Sequence, residues 1–222
     1  MSAEESIDVV LCPAYLALRP MIEWTRDSRV DVYAQNMHYA PEGAFTGEVS
    51  APMLREAGVQ GVIVGHSERR QLFAESDAAV QLKVAAAVAA GLVPILCVEE
   101  SEEQCQLGET EHRLCQQLRS GLALVDTSRL GDVVIAYEPI WTIGTGGMAA
   151  LEHTQEVGAL VRGVVAERSS EQATRTRVLY GGSVSADTSA TLLALDDVDG
   201  LLVGEPSLDA NTFLSILNAV RS

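Results

Sequence analysis

Val134-Ile135-Ala136-Tyr137-Glu138-Pro139-Ile140-Trp141-Thr142-Ile143-Gly144-Thr145-Gly146-Gly147 holds one complete junction of a kind that recurs along this chain. A β-branched apolar run reads as a strand, ends at Ala136-Tyr137 and delivers a carboxylate, Glu138. Pro139 then stiffens the chain, and a bulky apolar segment leads into a glycine-rich hinge. A carboxylate base must be held rigidly, as a strand end holds it, while water has to be shut out by something that opens again. Glu138 is therefore a candidate base, and Pro139, Ile140, Trp141, Thr142, Ile143, Gly144, Thr145 and Gly146 form a candidate lid. Taken alone, the same residues also read as a solvated loop acid beside core-packing Trp141 and Ile143, so the rest of the chain has to decide.

Outward from that junction, short β-branched runs alternate with segments of helical period, the pattern of consecutive βα units and a parallel sheet. Strands are expected at 7–12, 30–34, 61–64, 93–98, 133–137, 177–180 and 200–203. Helices are expected at 16–26, after Ser50 as a cap with Pro52 in the first turn, at 77–90 with Gly91 at the C-cap, as one long polar helix ending near 124, and at 153–168 and 208–220. Seven such units with no internal linker predict a single domain over 1–222, one unit short of the eight that close a (β/α) barrel. The candidate polar groups all follow strand ends, the carboxyl face where such barrels carry their chemistry. The polar insertion at 35–47 is too long for a plain connector and reads as functional or interfacial.

Composition narrows the function. The 222 residues are 47% hydrophobic, enough for a large core, and the formal net charge of -16 argues against nucleic-acid and anionic-membrane partners. No apolar run is long enough to span a bilayer, and the acidic opening Met1-Ser2-Ala3-Glu4-Glu5-Ser6 lacks the features of a signal peptide, so a cytoplasmic location is expected. The positive residues are fourteen arginines and one lysine, Lys83, which reads as a solvated charge on its helix. Four cysteines, Cys12, Cys97, Cys105 and Cys115, show no metal-ligand or redox spacing; reduced thiols, no metal and no cofactor are expected.

Several segments together resemble the triosephosphate isomerase family, and the likeness covers nearly the whole chain. Ala34-Gln35-Asn36 and Gly43-Ala44-Phe45-Thr46-Gly47-Glu48 resemble its interdigitating third loop, and Gly65-His66-Ser67-Glu68-Arg69-Arg70 its electrophile segment. Ala136-Tyr137-Glu138-Pro139-Ile140-Trp141 with Ile143-Gly144-Thr145-Gly146 is similar to its base and lid, and Tyr180-Gly181-Gly182-Ser183-Val184 to its phosphate loop. The resemblance implies an α/β, TIM-type (β/α) barrel, incomplete, with about seven βα units matching the family's second to eighth strands. It also implies interconversion of glyceraldehyde 3-phosphate and dihydroxyacetone phosphate through an enediolate. Glu138 would be the base and His66 a neutral imidazole polarising the carbonyl; this assignment is the family's own, carried over by resemblance. N–H groups of Gly144, Gly181 and Gly182, the Ser183 hydroxyl, and Gly204 after the last strand would hold the phosphate, with Asn36, Ser67, Glu68 and Arg69 in support.

The departures matter as much. The family's first strand carries an asparagine and a lysine facing the substrate, whereas this sequence begins at what resembles the second strand. Loss of one preorganised oxyanion donor costs about 2.7–4 kcal/mol, a hundred- to a thousandfold in rate, so a crippled or inactive enzyme is expected. At the last strand, Val203-Gly204-Glu205-Pro206-Ser207 brings a carboxylate toward the phosphate, and Pro206 has no N–H to give. Glu99 stands where the family has glycine. The strands at 7–12 and 200–203 would be left as edges, which invite pairing. Because the loop around Phe45 would, by the resemblance, dock beside the missing lysine of a partner, the family's usual dimer is in doubt; another homo-oligomer stays open, and the expected partner is a small phosphorylated or anionic ligand. Two other readings compete: a working isomerase with the first unit replaced by another chain or by a rearranged Arg69 or Arg70, and a non-catalytic small-anion-binding or regulatory protein.

Overall fold

A computed structural model describes residues 7–145 and 147–221. The acidic opening at 1–6 and the lid's Gly146 lie outside the described residues. In chain order the regular elements are β1 (Val9–Leu11), α1 (Tyr15–Thr25), β2 (Val30–Ala34), α2 (Ala51–Ala57), β3 (Gly61–Val64), α3 (Ser67–Leu72), α4 (Asp77–Ala89) and β4 (Val93–Glu100). There follow α5 (Glu102–Gln106), α6 (Thr110–Leu122), a 3-10 turn (Thr127–Asp132), β5 (Val134–Pro139), a second 3-10 turn (Ile140–Thr142), α7 (Leu151–Ala166) and α8 (Ser170–Arg175). The chain closes with β6 (Val178–Tyr180), α9 (Ala186–Leu193), β7 (Gly200–Leu201), a third 3-10 turn (Glu205–Leu208) and α10 (Ala210–Arg221).

All seven strands are parallel and lie in sequence order β1 to β7. Among the described residues no ladder joins β7 to β1, so this is the incomplete TIM-type α/β fold that the pattern of seven units predicts. Strand residues alternate between two apolar layers, as the two-residue period of a strand requires. Val32, Val62, Val64, Leu96, Val98, Ile135, Tyr137, Val178 and Tyr180 pack outward against the helices. Tyr33, Ile63, Ile95, Cys97 and Ala136 pack together on the other, inner face, joined by Val10, Cys12, Leu179 and Leu202. A sheet buried on both faces explains why its strands read as continuous apolar runs. No helix among the described residues is long and apolar enough to cross a membrane.

Three local expectations change. The long polar helix after β4 is two helices: Ser101 and Gln104 form a capping box that starts α5, and Gly108, at φ +71°, breaks the path before α6. Ser50 sits at the start of α2 with extended backbone, but its hydroxyl makes no capping bond and is buried without a partner among the described groups. Lys83 is not solvated. Residues 80, 83, 84, 87 and 88 form one buried stripe along α4, and helical spacing puts the lysine inside it, 6% exposed. The insertion at 35–47 turns back on itself, with a bridge between His38 and Ser50 and the His38 ring 4.1 Å from that of Phe45, which stays exposed.

Candidate active site

Glu138 shares the inner face of β5 with Ala136, and its side chain is 1% exposed. His66 directly precedes α3, in the segment that turns off β3 through Gly65 at φ +75°. The two meet: His66 Nε2 lies 3.0 Å from Glu138 Oε1, and the Ser67 N–H donates to Oε2 at 3.0 Å. His66 Nδ1 accepts the Glu68 N–H at 3.3 Å, which leaves Nε2 as the nitrogen that presents a proton to Glu138. Burial opposes charge on His66, yet the hydrogen bond and charge of Glu138 outweigh it, and Glu68 and Glu99 add to the effect, so its pKa rises above the ordinary value. The Glu68 N–H occupies the Nδ1 lone pair, as the neutral ring implied by the resemblance requires, while Glu138 draws the ring toward the charged form.

Glu99 pairs with Glu138 across the β4–β5 ladder. Its Oε2 is buried without a partner among the described groups, and Arg113 Nη2 approaches Oε1 only to 3.8 Å. Burial raises its pKa; Arg70 and Arg113 pull down while Glu138 pushes up. Two carboxyls therefore crowd one imidazole.

The nearby cations are engaged elsewhere. Lys83 Nζ pairs with Glu75 and donates to Asn36 Oδ1 at 2.8 Å. Arg69 Nε donates to Glu75 Oε1 at 3.3 Å, and the Gly65 N–H donates to Oε2 at 3.2 Å, so Glu75 braces the segment that carries His66. Arg70, almost fully buried, donates to the Gly65 and Cys97 carbonyls and pairs with Asp77 at 2.6 Å. Among the described residues no lysine or arginine is ion-paired with Glu138. Neither arginine is rearranged toward the base.

The near half of the lid is anchored in the protein, and Thr145 in the far half bonds back to the Thr142 carbonyl through its hydroxyl at 2.9 Å. The Thr142 hydroxyl, buried, donates to the Pro139 carbonyl at 2.9 Å, and the Ser183 N–H reaches its oxygen at 3.4 Å. Ile143 and Gly144 are exposed, the latter at φ +72°, where a side chain would be strained. Trp141 Nε1 is buried with no partner among the described groups. A cleft of about 400 Å³ opens beside Ser67 on the flank of the lid, lined also by Glu68, Gln71, Glu102, Ile140, Trp141 and Ile143. Two carboxylates and no cation face it.

On the anion side the expected cradle is incomplete. The Gly181 N–H donates to the Tyr137 carbonyl at 2.7 Å, so it extends the sheet and is not free for a phosphate. Gly182 is required for a different reason: a Cβ there would overlap the Tyr180 hydroxyl and sit 2.6 Å from Thr142 Oγ1. Gly204 is exposed, and its carbonyl accepts the Ser207 N–H and hydroxyl. The sequence also gave no sign of a second grouping. Cys105 Sγ lies 3.9 Å from His153 Nε2, which lies 2.7 Å from Glu100 Oε1, so a metal-competent set arises from tertiary contact where no sequence spacing announced it.

Known proteins resemble this chain in sequence. The family model described as triosephosphate isomerase matches residues 1–220. A protein of Moorella thermoacetica named triosephosphate isomerase is 44% identical over 95% of this chain and 85% of its own length. Proteins of the same name from Chloroflexus aurantiacus and Synechocystis sp. are each 46% identical, over 95% and 97% of this chain and 85% and 86% of their own lengths. With the seven-stranded parallel sheet and the Glu138–His66 contact at its carboxyl end, these matches establish that the chain belongs to the triosephosphate isomerase family.

Proposed function

We propose that this pocket moves a carbon-bound proton between the adjacent carbons of a triose phosphate, interconverting glyceraldehyde 3-phosphate and dihydroxyacetone phosphate, and that these 222 residues do so far more slowly than an ordinary isomerase. The observation that carries the chemistry is the Glu138–His66 contact at 3.0 Å. Glu138 takes the proton from the carbon next to the carbonyl, the electron pair moves onto the carbonyl oxygen, and the His66 Nε2–H hydrogen-bonds the developing oxyanion. Glu138 then returns the proton to the neighbouring carbon, while the former carbonyl oxygen takes a proton from His66 Nε2 and the original hydroxyl gives its proton back to that nitrogen, so that the new carbonyl forms on the first carbon. For this the carboxylate has to leave Ser67 and His66 and turn to the substrate. When it does, His66 loses the main group that raises its pKa, and burial, the strongest single influence on it, then favours the neutral ring that serves as a hydrogen-bond donor.

The slow rate follows from charge. Lys83, Arg69 and Arg70 are all held in ion pairs away from Glu138, while Glu99 adds a second buried carboxyl beside it. An enediolate formed there meets no full positive charge from these groups, and removal of one oxyanion stabiliser costs on the order of a hundred- to a thousandfold. The test is a coupled assay of the 222-residue chain in both directions. Turnover at least about a hundredfold below an ordinary isomerase is expected, and Glu138→Gln should remove a further 10²–10⁴-fold, roughly the contribution of a positioned base. Turnover at an ordinary rate overturns the slow reading. Activity indifferent to Glu138→Gln overturns the assignment of the site.

A further inference from the structure

We propose that Glu100, Cys105 and His153 form a binding site for a divalent transition-metal ion of the zinc class, separate from the proton-transfer groups. The three residues come from different elements. Glu100 ends β4 and, one residue on from Glu99, points to the helix side of the sheet; Cys105 lies in α5; His153 lies in the first turn of α7. One ligand atom from each lies within 4.8 Å of the other two. Zinc bonds of about 2.0–2.3 Å in a tetrahedron place ligand atoms roughly 3.3–3.7 Å apart. The observed 2.7 Å between His153 Nε2 and Glu100 Oε1 and 3.9 Å between His153 Nε2 and Cys105 Sγ bracket that spacing, so small rotations of three side chains would admit the ion.

The existing bonds leave a demand that a cation would meet. Glu100 is fully buried, yet its oxygens are held only by the Tyr137 and Thr110 hydroxyls and by His153. Among the described residues no lysine or arginine is ion-paired with it, although a carboxylate out of water ordinarily requires a charged partner. His153 Nε2 faces three groups at once: Glu100 Oε1, the Tyr137 hydroxyl at 3.0 Å and Cys105 Sγ. A ring nitrogen carries one proton or one lone pair and cannot serve all three. An ion bound by Nε2 would replace those competing contacts, with the Tyr137 and Thr110 hydroxyls steadying the carboxylate from behind. Cys105 and His153 are only half-buried, which leaves a route from solvent.

The donor set decides the kind of metal. One sulfur, one imidazole nitrogen and one carboxylate oxygen suit Zn(II) and its analogue Co(II), whereas Mg(II) and Ca(II) need oxygen shells. Three protein ligands leave a fourth position for water. A thiol binds such an ion as the thiolate, so uptake of the metal releases a proton. An ion here would join the ends of β4, α5 and α7, and α7 is the helix that follows the lid.

The test is titration of the 222-residue chain with Co(II). One equivalent should produce a near-ultraviolet thiolate-to-cobalt charge-transfer band and the visible bands of a tetrahedral ion, both erased by Zn(II). Cys105→Ser should abolish the charge-transfer band, His153→Gln should weaken binding about tenfold or more, and Cys115→Ala should leave both unchanged. Should a variant fail to fold, the unmodified chain still decides: Zn(II) must protect Cys105 from alkylation, read by peptide mass. No charge-transfer band, a band that survives Cys105→Ser, or Cys105 alkylated equally with and without Zn(II) overturns the proposal.

Discussion

The flank of the sheet formed by β3, β4 and β5 and the margins at β1 and β7 are built to different standards. β4 and β5 pair continuously from Ile95↔Val134 to Glu100↔Pro139, and every residue of β3 is buried. β7 is two residues long, Gly200 and Leu201, with the Asp199 and Leu202 N–H groups adding bonds to β6 on either side; β1 and β7 are half-buried, and near them Leu16, Trp24, Leu208 and Leu214 face solvent, Leu16 at 96% exposure. The proton-handling groups His66, Ser67, Glu99 and Glu138 all hang from the closed flank. The segments expected to hold an anion, at 181–183 and at Gly204, follow β6 and β7 toward the margin. Acid–base geometry therefore rests on the best-packed part of the molecule, whether or not its margins meet, and anion binding rests on the thinnest part.

The sharpest way to break this contrast is at Lys83. The lysine is buried on the closed flank with Glu75 as its ion-pair partner, and its removal leaves a buried carboxylate with less compensation. Lys83→Ala should cost about 3–5 kcal/mol in urea unfolding. A cost below about 1 kcal/mol, the size of a surface pair, would mean that the brace under His66 is not what holds that flank. Next in size is a matched pair of truncations. Ile135→Ala, in a fully buried strand position, should cost about 2–5 kcal/mol, while Leu201→Ala, half-buried in β7, should cost less than about 2 kcal/mol. Equal costs would show that the margin is as well packed as the flank.

The parallel sheet of seven βα units was legible because it is written in a local pattern of β-branched runs, turn residues and polar groups at strand ends, whereas the grouping of His66 with Glu138 rested on resemblance to the family. What escaped did so for separate reasons. Lys83 lies in the stripe at 80, 84, 87 and 88, and its polarity hid a burial that the spacing alone would have predicted. The break at Gly108 and the loss of the Gly181 N–H to the sheet depend on backbone angles and neighbouring strands. The contact of Cys105 with Glu100 and His153 joins residues up to 53 positions apart and has no trace in the one-dimensional spacing.

The smallest effects lie in pH, where two groups of the closed flank pull in opposite directions. Glu75 meets a burial penalty, but Lys83 and then Arg69 outweigh it, so its folded pKa falls below the ordinary 4.5. A depressed acid contributes stability that is present above pH 4.5 and lost as pH falls through the folded value. His66 is the converse: Glu138 raises its folded pKa above 6.5, so its contribution is complete below that pH and is lost as pH rises through the folded value. Stability measured by urea unfolding from pH 3 to 9 should therefore fall on both sides. Glu75→Gln should flatten the acid side and leave the slope above neutrality, while His66→Gln should do the reverse. The slope is the quantity to compare, because each substitution also shifts the whole curve. His66 is about one quarter exposed, so its limb should be the shallower of the two. If His66→Gln leaves the slope above pH 6.5 untouched, the imidazole carries no extra proton in the folded chain, and the neutral ring needed for catalysis is present before Glu138 moves.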